Sequence, residues 1–167
     1  MPFALKTIDD ISQYEQFGSV LIVPCRFCPA ASAAVKNNKP YIELFRKFLK
    51  TDSYERSIET LKSKLERKGI KTGVFKSRLI HQFVLCMWTS GRREVLKKRA
   101  GNYDAIIVLG CEAALQTVRD AVKPNPCAVL QGVETEGIMS IKPVFRFPCN
   151  LFLELQSVSR YVYRDVQ

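Results

Sequence analysis

Six cysteines stand at positions 25, 28, 86, 111, 127 and 149, and they are the residues best suited to chemistry. Cys25 and Cys28 form a C-x-x-C pair inside G-S-V-L-I-V-P-C-R-F-C-P-A-A-S-A-A-V, residues 18–35. Cys111 closes the run I-I-V-L-G-C and opens E-A-A-L-Q-T-V. Cys86 ends a third apolar run, at 83–87. A thiol delivered from a strand end to a helix start meets free N–H groups that favour its thiolate. Thiolates are the nucleophiles of disulfide exchange and the ligands of zinc, copper(I) and iron–sulfur clusters. The plainer role of a free cysteine is that of a small buried hydrophobe. That role is the expectation for Cys127 and Cys149, whereas Cys25, Cys28, Cys86 and Cys111 are the candidate ligands.

Other side chains add less. His81 is the only histidine, so a Cys2His2 zinc site is excluded and a structural role is the simplest expectation. Trp88 follows Cys86 closely enough to line a flat cofactor, although core packing is the commoner use of tryptophan. The turn G-C-E-A-A offers helix N–H groups to a phosphate, but Glu112 would repel it.

The elements that must position these residues alternate between strand and helix. Residues 20–23 (V-L-I-V) and 105–109 (A-I-I-V-L) are short runs rich in β-branched residues, as in parallel strands buried on both faces. Residues 70–75 and 127–130 read as further strands. Helices are expected over 30–35, 40–49, 53–68, 90–99 and 112–122. Pro29 suits a first helical turn, and Gly69 a helix C-terminus. Residues 1–17 place Leu5, Ile8, Ile11 and Tyr14 at helical spacing, which predicts a short capping helix. The patches I-M-S-I and V-F-R-F after Gly137 predict a small β appendage over 137–167. The expectation is one α/β domain over 1–167: a three-layer sandwich with a mostly parallel central sheet of Rossmann or flavodoxin-like type. In such sheets ligands bind beyond the carboxyl ends of the strands, where these cysteines fall.

The bulk numbers set bounds. The chain has 167 residues, 47% hydrophobic and 25% charged, enough for a core without metal or disulfide staples. No apolar run approaches the ~20 residues of a membrane helix, and no signal-like leader opens the chain, so a cytoplasmic location is expected. Thiols in a reducing compartment are metal ligands or redox groups more often than structural disulfides. The net charge is +10. Its cations gather over 56–71 and 92–99, most simply as solvated outer faces. The sharper reading is a docking module for an acidic partner or nucleic acid, although no nucleic-acid motif accompanies the charge.

V-L-I-V-P-C-R-F-C-P-A-A and D-A-I-I-V-L-G-C-E-A-A-L-Q-T-V, with K-G-I-K-T between them, resemble the methylenetetrahydrofolate reductase C-terminal domain of anaerobic bacteria and archaea. They are also similar to a cysteine-bearing α/β piece of heterodisulfide-reductase-type proteins. The likeness spans roughly residues 18–130 and includes a G-C-x-x-x-x-Q-T turn. Pro24, Arg26, Glu112 and Ala113 stand where that family favours glycine. The resemblance implies one-carbon metabolism and a single iron–sulfur cluster or zinc held by Cys25, Cys28, Cys111 and Cys86. Arg26, Trp88, Glu112 and Gln116 are then the binding side chains around it. The expected role is an accessory or electron-transfer protein that serves a larger redox or methyl-transfer partner. The C-x-x-C pair alone supports a second expectation, a thiol–disulfide oxidoreductase with Cys25 as the low-pKa nucleophile.

Overall fold

A computed structural model describes residues 2–8, 10–43, 50–77, 82–147 and 149–160. Among the described residues, two four-stranded sheets and four α-helices make a mixed α/β protein. The first sheet contains β2 (Ser19–Pro24), β4 (Lys71–Val74), β5 (Ala105–Leu109) and β6 (Ala128–Gln131), in the spatial order β4-β2-β5-β6. All its pairings are parallel. These are the four strands expected near Val20, Ile70, Ile106 and Val129. Val20, Leu21, Ile22 and Val23 are buried, as are the five residues of β5, which explains why neither strand alternates with polar residues.

Helix α1 (Cys28–Asn37) follows β2, and Pro29 stands in its first turn. Helix α2 (Asp52–Arg67) buries Tyr54, Ile58, Leu61 and Leu65, and Gly69 ends it at φ 81°. Helix α3 (Ser90–Ala100) buries Leu96 and Ala100. Helix α4 (Glu112–Val122) buries a broad face from Ala114 to Val122. The helix expected over 40–49 meets a two-residue strand, β3 (Ile42–Glu43), at its start; 44–49 lie outside the described residues.

The N-terminal segment departs from expectation. It forms a strand, β1 (Phe3–Thr7), and a 3-10 turn (Ser12–Tyr14), not a helix. The partner of β1 lies far downstream, in β7 (Val133–Arg146), and no local spacing could reveal it. A register shift between Ala4 and Leu5 also buries two consecutive residues, which hides the alternation of a strand. β7 pairs with β8 (Asn150–Arg160), and the antiparallel sheet runs β1-β7-β8-β3. The expected β appendage is therefore a long hairpin joined by two strands from the first half of the chain. Helix α1 links the sheets: Ala30 joins the main core, while Ala31 packs with Ala4 and Met139. The Ser32 hydroxyl accepts from the Leu5 N–H at 3.0 Å.

Candidate functional site

The chain leaves β2 to build β4 on one side, then returns to build β5 on the other. The gap beyond the carboxyl ends of β2 and β5 is thus a topological switch point, where α/β sheets bind ligands. Cys25 follows β2 there, and Cys111 follows β5. The Cys25 N–H donates to the Leu109 carbonyl at 2.9 Å, which extends the ladder one step and fixes the two turns together. Gly110 makes this approach possible. A Cβ at that position would lie 2.6 Å from the Ala114 Cβ and 3.3 Å from the Cys25 Cβ.

Cys28 begins α1 and Cys111 is the N-cap residue of α4, so both thiols sit at helix starts. They are 8% and 4% exposed. The two sulfurs face each other, and their contact is the largest influence on both. Cys28 acts as the proton-bearing partner and is raised; Cys111 is lowered to about 6. The Cys111 sulfur makes no formal cap hydrogen bond. The N–H groups of Ala113 and Ala114 nevertheless lie close enough to favour its charged form against the opposing effect of burial. The arrangement favours the thiolate on Cys111 and the proton on Cys28.

Cys25 plays a different part. Its thiol contacts the Phe83 carbonyl at 3.6 Å, and burial raises its pKa. The nucleophile expected of a C-x-x-C pair is therefore not the low-pKa cysteine; Cys111 is. Cys86 is exposed on the 3-10 turn Leu85–Met87, with its pKa raised by burial and then by the charge of Cys111. Cys25 lies within electrostatic reach of Cys28, Cys86 and Cys111, and Cys111 within reach of Cys28 and Cys86. Their donor chemistry suits zinc or a cluster. Among the described residues, however, no three His, Cys, Asp or Glu side chains are gathered to hold one metal ion.

The expected binding residues divide. Arg26 is buried, and its Nε and Nη2 grip the Glu55 carboxylate at 2.6 and 3.2 Å. Trp88 is buried in the core, against Phe75, and its indole N–H donates to the Gln82 carbonyl at 2.8 Å. Glu112 and Gln116 lie on the outer face of α4, where Glu112 accepts from Gln131 and Gln116 donates to Asp120. Cys127 is half-buried against the core, whereas Cys149 is exposed beside the hairpin turn instead of packing inside. His81 lies outside the described residues.

Sequence reading passed over two contributors. Glu55 stands in the first turn of α2 and holds Arg26 in place. Tyr54 is buried in the core and donates from its hydroxyl to the Leu109 carbonyl at 3.3 Å, supporting the same strand end as Cys25. A carboxylate and an aromatic at the head of an amphipathic helix were the available signal.

No family model, curated protein or solved structure matches the chain. The resemblance to the reductase C-terminal domain thus rests on its two motifs. Among the described residues, no helix is long and apolar enough to cross a membrane.

Proposed function

We propose that this protein is a thiol-based accessory redox protein whose working group is the Cys28–Cys111 pair. The carrying observation is the Cys111 thiolate at the head of α4, facing the Cys28 thiol. The parallel sheet and its helices are read as a three-layer, flavodoxin-like arrangement that presents this pair at the switch point. Oxidation takes two exchange steps. The Cys111 thiolate attacks one sulfur of a partner disulfide, an S–S bond forms, and the displaced partner thiolate leaves. Cys28 gives its proton to that thiolate and attacks the Cys111 sulfur, which closes the Cys28–Cys111 disulfide and releases the second partner sulfur as a thiolate that takes its proton from water. Protein dithiol and partner disulfide become protein disulfide and partner dithiol. Near-complete burial of both sulfurs favours a slender low-molecular-weight disulfide over that of a bulky folded partner. Service to a redox or methyl-transfer system of anaerobic one-carbon metabolism is the setting that the motif resemblance supports.

The test is oxidation with a glutathione disulfide buffer under anaerobic conditions, then alkylation and peptide mapping. We expect one reversible disulfide linking Cys28 to Cys111. A Cys25–Cys28 disulfide, or six free thiols at every ratio, rejects the assignment. Zinc or a single iron–sulfur cluster is the second reading, favoured by the soft thiolate donors that Cys25, Cys28, Cys86 and Cys111 offer. Metal and sulfide analysis of the same anaerobic protein decides it. Stoichiometric metal that is lost in Cys111→Ala replaces the disulfide reading.

A further inference from the structure

Three polar groups near the carboxyl end of β4 are buried without a hydrogen-bond partner: Arg26 Nη1, Ser77 Oγ and Arg92 Nε. Buried polar groups are nearly always satisfied, so these orphans ask for an explanation. Arg26 is 7% exposed and spends its other two donors on Glu55. That ion pair offsets its charge and leaves Nη1 pointing away from the carboxylate. Ser77 is 3% exposed and lies three residues past the end of β4. Arg92, in the first turn of α3, reaches back across the same strand end. Its guanidinium lies 4.3 Å from the Phe75 ring centre and 5.4 Å from that of Trp88. Its Nη2 donates to the carbonyl of Lys76, the residue before Ser77. The Arg99 guanidinium lies 5.9 Å from the centre of the same Phe75 ring.

The charges here are not balanced. Glu55 is the only carboxylate paired to any of these three arginines among the described residues. Burial, then the charges of Arg26 and Arg99, lower the pKa of Arg92, so like charges do face one another across this site. The aromatic rings hold the guanidiniums in place without neutralising them. Two uncompensated cations, a guanidinium edge with free N–H groups and a buried hydroxyl together match a doubly charged tetrahedral oxyanion better than a single carboxylate.

We propose that Arg26 Nη1, Arg92 Nε and the Ser77 hydroxyl form a binding site for the phosphate group of a small-molecule ligand. None of the three groups is a thiol, so phosphate binding is independent of disulfide exchange at Cys28 and Cys111. None of the site's residues belongs to the G-C-E-A-A turn, where Glu112 would repel a phosphate.

The experiment is calorimetric titration of the full chain with inorganic phosphate and with glycerol 3-phosphate, at constant ionic strength, with chloride and acetate as controls. We expect saturable binding of one phosphate per chain, absent with chloride and weaker with acetate. Tighter binding of glycerol 3-phosphate identifies an organic phosphate as the ligand; equal binding identifies the free ion. Arg92→Gln should weaken binding by about tenfold or more, the scale of one charge-assisted contact. Ser77→Ala, the smaller change, should weaken it severalfold with unchanged circular dichroism, and it carries the test if Arg92→Gln does not fold. No saturable phosphate binding by the wild type, or equal affinity in Ser77→Ala, overturns the site.

Discussion

Cys111 differs from the other cysteines because of where the fold places its sulfur. The amides of Ala113 and Ala114 and the Cys28 thiol all stabilise its negative form. Thiolate absorbance should therefore rise by one equivalent as pH increases through about 6 in the wild type, and this step should vanish in Cys111→Ala. In Cys28→Ala the step should move upward but stay below the ordinary thiol value of 9.0, because the helix amides remain. A midpoint unchanged in Cys28→Ala removes the paired-thiol account. The sign for stability follows from linkage. The folded pKa of Cys111 is lowered, so its contribution is complete above the unfolded value of 9.0 and shrinks as pH falls through about 6. The strand–cysteine–helix grammar made Cys111 legible as a helix-start thiol. Its partner was not legible, since C-x-x-C spacing ties Cys28 to Cys25. The Phe83 carbonyl, which comes from a distant segment, takes the Cys25 thiol instead.

At the scale of elements, the site depends on two turns pressed together. Gly110 is the point of contact, and its missing Cβ leaves room for Ala114 and Cys25. Gly110→Ala should cost about 1–3 kcal/mol, as overpacking does, and should shift the Cys111 absorbance midpoint because the head of α4 must move. Chemical denaturation and the pH titration read both effects; a variant as stable as wild type with an unmoved midpoint refutes the close-contact role. The buried strands β2 and β5 and the helices that follow them were readable because their apolar runs are short, β-branched and bounded by Gly or Pro. β1 was not, because its bulge breaks the period of two and its pairing partner is remote. The ion pair of Arg26 with Glu55 was equally hidden, since it joins a loop to a helix that sequence periodicity treats separately.

At the scale of the whole molecule, the net charge of +10 is unevenly compensated. Carboxylates pair with Arg56, Lys62 and Lys68 on and just after α2. Among the described residues, the five cations of α3 have no such ion pair. A docking role for the chain would therefore run through α3. Retention on immobilised DNA should fall steeply with salt, and the exposed Lys98→Glu should elute earlier while the exposed Arg56→Glu shifts less. Equal shifts would make the retention a property of total charge alone. The antiparallel sheet has a different kind of consequence. Phe3 pairs with Ile138, whereas every strand of the parallel sheet lies between residues 19 and 131. β1 is synthesised before every strand of the parallel sheet yet must wait for β7, which follows all of them. Until then the nascent chain carries an unpaired strand, while the sheet that positions Cys111 already has all its members.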